Sequence, residues 1–461
     1  MKIHFIAIGG ALMHNLALAL AEKPSYTITG SDDEIYDPSR SRLAAANLLP
    51  NEMGWHPNRV HEDLDAVIVG MHARANNPEL LKAQNLGLTI YSYPEFIYLQ
   101  SQHKKRIVVG GSHGKTTTTS MIMHVLKYHC IDFDYAVGAQ IEGFDLMVHL
   151  SDAPIIVIEG DEYLSSPIDK LPKFLHYHPH IAVVTGIAWD HINVFPTFKK
   201  YKKQFKKFIQ SIASSGTLIY YKQDKYLHKY AKKSISCFNL AYDTPPHIIE
   251  NGQTYLCVDY NINLNQLKQQ NIGIPLQFFG QHNLQNLQAA HLATKQLGIT
   301  DHQFYEAIQS FKGASKRLEK IQETASHKIY RDFAHAPSKV QASSKALKQQ
   351  YINIPLIAVL ELHTYSSLSS DFIEEYQGSL NSADIAFVYY NEHTLQMKKM
   401  APLQIEDVED AFFHPNIIVL TDTSQLKQKI QEALKKYQTS NVLLMSSGNF
   451  GNMDILDLIP V

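Results

Sequence analysis

Short apolar runs alternate with amphipathic stretches along almost the whole chain, and this alternation limits the possible folds more than any other feature. Runs rich in Val and Ile are typical of strands buried on both faces, and the longer stretches between them have helical periodicity. The pattern predicts an α/β fold built on parallel sheets. The predicted strands are Ile3–Ile8, Tyr26–Thr29, Ala66–Val69, Leu88–Tyr91, Ile107–Val109, Ile155–Ile158, Ile181–Thr185, Leu356–Leu360, Ile385–Tyr389, Ile417–Leu420 and Val442–Met445.

The chain length sets the expected number of domains. At about 100 to 200 residues per domain, 461 residues predict three domains. A polar, basic stretch at 100–106 suits a linker, and a further series of strands begins after residue 314. We therefore expect α/β domains at 1–104, 105–313 and 314–461. Within the second, the segment 217–279 has short alternating runs and is predicted to be β-rich and peripheral.

Charge and cysteine content exclude several classes of protein. The net charge is −2, so no overall basic surface indicates a nucleic-acid partner. The three cysteines lie far apart outside any C-x-x-C spacing, which is typical of a reducing compartment and predicts no zinc site. No apolar run is long enough for a membrane span, and His4, His14 and Asn15 interrupt the N-terminal run that a signal peptide would need. We expect a cytoplasmic protein.

Six lysines crowd the segment 199–207. Tyr201, Phe205 and Phe208 recur there at helical spacing, which predicts a helix with one buried apolar stripe and a solvated lysine face. A nucleic-acid-binding patch is the alternative interpretation, and the near-zero net charge argues against it.

A glycine-rich loop, Gly111–Thr117, lies between a predicted strand and an amphipathic helix. Backbone N–H groups of such a loop surround a polyphosphate at a helix N-terminus, Lys115 reaches the terminal phosphates and the Thr116 hydroxyl binds Mg2+. The residues expected to surround the polyphosphate here are Gly111, Ser112, His113, Gly114, Lys115, Thr116 and Thr117. A turn that merely starts a helix is the alternative, and the strand-to-helix context disfavours it.

Two further polar segments follow strands of the same predicted domain. Glu159 comes directly after Ile155–Ile158, and His191 follows Ile181–Thr185. Ligands of open parallel sheets bind beyond the carboxyl ends of the strands, so both side chains are expected to face the phosphate loop. There they would hold Mg2+ beside the reacting phosphate. Ordinary turn and capping residues are the alternative interpretation.

The N-terminal loop Ala7–Leu12 partly resembles a dinucleotide-binding fingerprint, and Asp32 follows the second predicted strand at a ribose-binding distance. Ala7 stands where the fingerprint has its first glycine. The loop predicts a site for a nucleotide's phosphates without identifying the nucleotide. For Asp32, a simple turn carboxylate is the alternative.

Taken in order, these and later segments resemble the motifs of the Mur ligases, the ATP-dependent amide ligases that build the peptide of bacterial cell-wall precursors. The resemblance covers essentially the whole chain. The matching segments, with the family pattern in parentheses, are Gly111–Thr117 (G-T-x-G-K-T-T), Glu159–Glu162 (E-A-D-E), Asp190–His191 (D-H), Gly280–Asn286 (G-x-H-N-x-x-N), Lys316–Arg317 (R-R) and Asp332–Pro337 (D-F/Y-x-H-x-P).

The resemblance implies a Rossmann-like N-terminal domain, a central P-loop ATPase-type domain with a parallel sheet and a Rossmann-like C-terminal domain. It implies Lys115, Glu159 and His191 as catalytic residues, with Thr116, Glu159 and His191 holding Mg2+. The further ATP-binding residues that we expect are His282, Asn283, Asn286, Arg317, Asp332 and His335. Those expected to bind a UDP-sugar are Gly9, Gly10, Ala11, Met13, Ser31, Asp32 and His72.

Two segments, Asp161–Tyr163 and Asp169–Pro179, are similar to the family member that recycles cell-wall peptide. That member joins the tripeptide L-Ala-γ-D-Glu-meso-diaminopimelate to UDP-N-acetylmuramate through an acyl phosphate, and we expect the same activity here, in a monomer or weak homo-oligomer. Glu361–Tyr365 departs from its pattern, because His363 and Tyr365, the expected peptide-binding residues, resemble those of the L-alanine-adding member. That L-alanine ligase is the alternative activity. Other departures are Leu164, Gly186 and Ala336.

Two activities outside the family stay open. A P-loop phosphotransferase or nucleotide-binding regulatory protein would need no UDP-sugar site. A nicotinamide-dependent dehydrogenase would rest only on the interrupted glycine motif near Gly9.

Overall fold

The computed structural model describes residues 1–189, 194–234, 237–257 and 273–459. The fold is α/β, with four sheets whose strands are mostly parallel. The residues divide into two compact units. The first comprises Met1–Ile187, Thr197–Tyr242 and Ala289–Phe304, and the second comprises Ala188–Pro196, Asp243–Gln288 and Tyr305–Val461.

The first unit begins with a four-stranded parallel sheet. Its strands are β1 (Lys2–Ile6), β2 (Thr27–Ser31), β3 (Ala66–Val69) and β4 (Ile90–Ser92), in the order β2-β1-β3-β4. The Val and Ile side chains of β3 are fully buried, as expected for a parallel strand covered on both faces. The helices of this segment are Ala11–Ala21, Ser39–Ala45, Pro78–Asn85 and Tyr93–Gln100.

A seven-stranded sheet follows in the same unit. Its strands are β5 (Lys105–Gly110), β6 (Asp134–Ala136), β7 (Val148–His149), β8 (Ile155–Glu159), β9 (Ile181–Val184), β10 (Thr217–Tyr221) and β11 (Phe238–Tyr242). The order β11-β10-β9-β5-β8-β6-β7 places β8 and β9 on either side of β5, so the carboxyl ends of these three parallel strands are neighbours. The helices are Lys115–Tyr128, Phe198–Gln210 and Lys225–Ala231.

The second unit contains an antiparallel sheet of β12 (His247–Glu250), β13 (Gln253–Leu256) and β14 (Ile274–Leu276). It also contains a six-stranded sheet in the order β15-β16-β20-β17-β18-β19, which is parallel apart from the β15–β16 pair. In chain order, these strands are β15 (Glu319–Glu323), β16 (His327–Asp332), β17 (Leu356–Glu361), β18 (Ile385–Tyr389), β19 (Ile417–Leu420) and β20 (Ser440–Met445). Two helices, Gln281–Lys295 and Asp301–Ile308, are each divided between the two units. The remaining helices of the second unit are Pro337–Gln350, Ser370–Ile373, Glu392–Met397, Ile405–Phe412 and Thr423–Lys436.

The predicted strands are confirmed, with ends that move by a few residues, and two details are corrected. Lys105 and Arg106, predicted to lie in a linker, belong to β5. The guanidinium of Arg106 is buried and donates hydrogen bonds to the carbonyls of Tyr177 (2.9 Å) and Ser101 (2.7 Å). The segment 217–279 is only partly peripheral, because β10 is a buried parallel strand of the seven-stranded sheet. The predicted domain boundaries near residues 104 and 314 stay predictions.

The helix Phe198–Gln210, here called the lysine helix, has the predicted two faces. Tyr201, Phe205 and Phe208 are fully buried, and five of its six lysines are exposed. No helix in the described ranges combines the length and the apolar character needed to cross a bilayer.

Candidate active site

The predicted phosphate loop connects β5 to the helix Lys115–Tyr128 and lies against the end of β9. Gly111 and Gly114 both adopt positive φ, at 133° and 73°. A Cβ atom on Gly111 would lie 2.1 Å from Thr185 Oγ1 and 2.9 Å from the Thr185 nitrogen, so only glycine fits there. The Ser112 amide donates to the Gly186 carbonyl at 3.0 Å. Gly186, one of the departures from the family pattern, thus contacts the loop through its main chain.

Lys115, the first residue of the loop helix, points back into the loop. Its Nζ donates to the Gly111 carbonyl at 2.7 Å and to Glu162 Oε2 at 2.8 Å. Burial lowers the pKa of Lys115, but the carboxylates of Glu162, Asp161 and Glu159 outweigh that effect and leave the pKa above its ordinary value. The ammonium is therefore charged at neutral pH and available to a phosphate.

Glu159 ends β8 beside the loop. Its Oε1 accepts from the Thr116 hydroxyl at 2.9 Å and its Oε2 accepts from the Gly138 amide at 3.1 Å. The structure thus brings together two of the three predicted metal ligands. A hydroxyl and a carboxylate are hard oxygen donors of the kind that Mg2+ prefers, so the donor set fits this ion. His191, the third predicted ligand, lies outside the described residues.

Tyr201 is the residue at this site that the sequence patterns missed. Its ring belongs to the buried stripe of the lysine helix, as predicted, but its hydroxyl lies 2.8 Å from Ser112 Oγ and 2.9 Å from Glu162 Oε1. The available signal was that tyrosine is the one member of the stripe with a polar atom, and a buried phenol usually finds a hydrogen-bond partner.

The predicted UDP-sugar residues gather at the carboxyl ends of β1, β2 and β3. Asp32 Oδ2 accepts from the Gly9 amide at 2.7 Å. A Cβ atom on Gly10 would lie 3.5 Å from both His72 Cδ2 and Met13 Cγ, so these side chains surround the glycine turn. Ser31 is buried and its Oγ accepts from Arg59 at 2.9 Å, whereas Ala11, which begins the following helix, is exposed.

Ala7, where the fingerprint has glycine, has a φ of 69°. The backbone of this turn therefore has the left-handed conformation that glycine usually supplies, although the side chain is alanine. The sequence departure at Ala7 leaves the glycine-type turn intact.

Asp32 provides a stability prediction. Burial, only partly opposed by the Gly9 amide, raises the pKa of Asp32 to about 7. The folded protein then keeps a proton that the unfolded chain loses near its ordinary pKa, so stability falls as pH rises through 7. Between about pH 5.5 and 8.5 the wild type should lose about 2 kcal/mol of unfolding free energy relative to Asp32→Asn.

Urea unfolding of both proteins at the two pH values measures this difference. Glu62→Gln, at an exposed position of the same segment, is the control and should follow the wild type. Equal pH dependence in the wild type and Asp32→Asn would contradict the raised pKa.

The residues predicted to bind adenosine belong to the second unit. Asn283 and Asn286 are buried in the helix Gln281–Lys295, and Asn283 donates to the Phe279 carbonyl at 2.9 Å. Burial lowers the pKa of His282 to about 4, so its imidazole is neutral at pH 7.

Asp332, at the end of β16, accepts from the amides of Leu318 (2.8 Å) and Ala334 (2.7 Å). Burial raises its pKa in spite of Arg317 and these amides. The Arg317 guanidinium lies 4.7 Å from the centre of the Phe333 ring, and His335 Nδ1 lies 2.8 Å from the Phe333 carbonyl oxygen.

The two predicted peptide-binding residues have different surroundings. His363 is partly exposed, and its Nδ1 lies 3.9 Å from Oε1 of the buried Glu361. The Glu361 carboxylate also accepts from the Phe450 amide at 2.9 Å and from the Ser446 hydroxyl, which holds it in place. Tyr365 is half exposed, and the ammonium of Lys398 lies 4.4 Å from its ring centre.

Comparison with known proteins places the two predicted nucleotide-binding segments in one family. Residues 109–294 match the Mur ligase middle domain, and residues 2–105 match a domain described as "Mur ligase family, catalytic domain".

Individual relatives extend the similarity to the whole chain. UDP-N-acetylmuramate–L-alanyl-γ-D-glutamyl-meso-2,6-diaminoheptandioate ligase of Haemophilus influenzae is 28% identical, over 100% of this chain and 99% of its own. UDP-N-acetylmuramate–L-alanine ligase of Caldicellulosiruptor bescii is 31% identical, over 84% of this chain and 83% of its own. The crystal structure of a murein peptide ligase from Psychrobacter arcticus has the same fold, with a TM-score of 0.64 and 23% identity over the full length of both chains. The chain therefore belongs to the Mur ligases, a family of ATP-dependent amide ligases.

Proposed function

We propose that this protein joins the tripeptide L-Ala-γ-D-Glu-meso-diaminopimelate to UDP-N-acetylmuramate at the expense of ATP. The observation that carries the proposal is the position of the phosphate loop, with Lys115 and Thr116, beside Glu159 at the neighbouring ends of β5 and β8. The tripeptide is favoured over L-alanine by the segments Asp161–Tyr163 and Asp169–Pro179. The full-length similarity to the ligase of Haemophilus influenzae supports the same choice.

The first chemical step is activation of the lactyl carboxylate of muramate. A carboxylate oxygen attacks the γ-phosphorus of ATP, the bond to ADP breaks, and an acyl phosphate forms. We propose that backbone amides of Gly111–Thr117 hold the phosphates and that Lys115 offsets the charge that develops on them. Mg2+, when held by Thr116, Glu159 and His191, would neutralise further phosphate charge.

The second step forms the amide. The uncharged α-amine of the peptide attacks the acyl carbon, phosphate leaves with the oxygen that it had bonded, and the amine loses a proton. We propose that His363, beside the buried Glu361, contributes to peptide binding, together with Tyr365. A partly exposed imidazole next to a buried carboxylate is suited to a polar or anionic peptide group.

The other substrate contacts are proposed as follows. Gly9, Gly10 and Asp32 bind UDP, whose role is to position the sugar far from the reacting atoms. Asn283, Asn286 and Asp332 bind the adenosine part of ATP. We assign these tasks to domains at 1–104, 105–313 and 314–461 of a cytoplasmic monomer or weak homo-oligomer.

Competition between the two amine substrates tests the proposal. Purified protein with ATP, Mg2+ and UDP-N-acetylmuramate is offered equal concentrations of the tripeptide and L-alanine, and the products are identified by mass spectrometry. The expected product is UDP-N-acetylmuramoyl-tripeptide, in at least about tenfold excess, which corresponds to a difference in transition-state binding of about 1.4 kcal/mol. If L-alanine were preferred, the protein would be assigned as the alternative L-alanine ligase. If neither amine gave an amide product, the proposed function would be contradicted.

A further inference from the structure

A buried tyrosine hydroxyl connects the lysine helix to the phosphate loop. Tyr201 and Glu162 are fully buried and Ser112 is 2% exposed. The hydroxyl of Tyr201 lies within hydrogen-bonding distance of both partners, at 2.8 Å from Ser112 Oγ and 2.9 Å from Glu162 Oε1. Residues from the loop, from the segment after β8 and from the lysine helix therefore meet at one oxygen atom.

The chemistry of the groups sets the direction of the hydrogen bonds. A carboxylate only accepts, so the Tyr201 hydroxyl donates to Glu162 and the Ser112 hydroxyl donates to Tyr201. The other oxygen of Glu162 accepts from Lys115 at 2.8 Å, and Lys115 also donates to the Gly111 carbonyl at 2.7 Å. The result is a closed ring of contacts that begins and ends in the phosphate loop.

These hydrogen bonds determine how Lys115, the phosphate-binding lysine, is held. With a donor on each of its two oxygens, the Glu162 carboxylate is fixed, and the position of the Lys115 ammonium is fixed with it. We propose that Tyr201 is a positioning residue, which holds Glu162 and thereby keeps Lys115 aimed at the terminal phosphates of ATP. This role rests on the proposed function, which assigns Lys115 to those phosphates.

The hydroxyl and the ring of Tyr201 have separable roles. The ring packs in an edge contact against Phe205, with ring centres 5.2 Å apart, and phenylalanine would preserve this packing. Tyr201→Phe therefore removes only the hydrogen bonds. Phe205→Leu is the matched control, because it disturbs the same apolar stripe one turn further on and removes none of the hydrogen-bonding groups.

The test compares the binding of AMP, ADP and ATP by isothermal titration at fixed Mg2+. For Tyr201→Phe we expect ATP affinity to fall about tenfold, the size of one lost hydrogen bond to a charged group. ADP affinity should fall less, and AMP affinity should stay unchanged, because AMP does not reach Lys115. In steady state, KM for ATP should rise while KM for UDP-N-acetylmuramate stays the same.

Two further variants keep the test decisive. Ser112→Ala should weaken ATP binding more than ADP binding, as Tyr201→Phe does, but by a smaller factor. In the double variant of Tyr201→Phe and Ser112→Ala, the loss of ATP binding free energy should be less than the sum of the two single losses if both side chains act through the same hydrogen bonds. Phe205→Leu should lower Tm without changing the ratios of the affinities for AMP, ADP and ATP. Unchanged ATP affinity in Tyr201→Phe, or equal weakening of all three nucleotides, would overturn the inference. Nucleotide binding is measured without catalysis. If the variants bound AMP, ADP and ATP as expected but the protein formed no amide, the proposed function would be contradicted and the positioning role of Tyr201 would stand.

Discussion

Replacing Lys115 by alanine should lower kcat by about a thousandfold or more, the largest effect that we expect from any single change. Lys115 supplies a positive side chain that contacts the loop, and its pKa, held up by nearby carboxylates, keeps it charged. Without it, backbone amides and any Mg2+ held by Thr116 and Glu159 would have to offset the charge on the transferring phosphoryl group. Phosphate release coupled to amide formation measures the loss.

The control for this variant lies on the same helix. Lys127 is also a lysine of Lys115–Tyr128, but its Nζ donates to the Gly143 carbonyl at 2.6 Å in the last turn, away from the loop. Lys127→Ala should keep full activity. Removal of Lys115 also removes its ion pair with the buried Glu162, so Tm is measured and activity is compared below it. A folded Lys115→Ala protein with wild-type activity would contradict the proposed role of the loop.

Glu159→Gln is expected to have the second-largest effect, a fall in kcat of about a hundredfold together with a higher Mg2+ requirement. Glutamine has nearly the same size and retains one oxygen acceptor for Thr116 or Gly138, so the fold should be preserved. It lacks the negative charge that a divalent ion requires. The measurement is kcat as a function of free Mg2+.

Glu142→Gln, at an exposed position in the same unit, serves as the comparison and should respond to Mg2+ like the wild type. If Glu159→Gln showed the wild-type Mg2+ response, Glu159 would not be a metal ligand. Its role would then be limited to the hydrogen bonds with Thr116 and Gly138.

The sequence predicted well those parts of the fold that depend on local patterns. Ala66–Val69, Ile385–Tyr389 and Ile417–Leu420 are strands with the predicted ends, because continuous burial requires uninterrupted apolar residues. The meeting of Glu159 with Thr116 was also predictable, because neighbouring parallel strands bring their carboxyl ends to one edge of a sheet.

Contacts that depend on how a helix or a charged side chain packs against the sheet were not predictable in the same way. Periodicity placed Tyr201 in an apolar stripe, but the position of its hydroxyl beside Ser112 depends on how the lysine helix packs on the sheet. Arg106 looked like a linker residue because charge usually indicates exposure, whereas main-chain carbonyls around it satisfy the buried guanidinium. The raised pKa of Asp32 likewise follows from burial that no local pattern encodes.

The central claim, ATP-dependent amide formation through an acyl phosphate, is tested most directly by following the carboxylate oxygens of UDP-N-acetylmuramate. Both oxygens of the lactyl carboxylate are labelled with a heavy isotope, and the substrate is incubated with the protein, ATP, Mg2+ and the tripeptide. Mass spectrometry of the products should find one labelled oxygen in inorganic phosphate, the other in the new amide and none in ADP. Label in AMP, or phosphate released without label, would contradict the account.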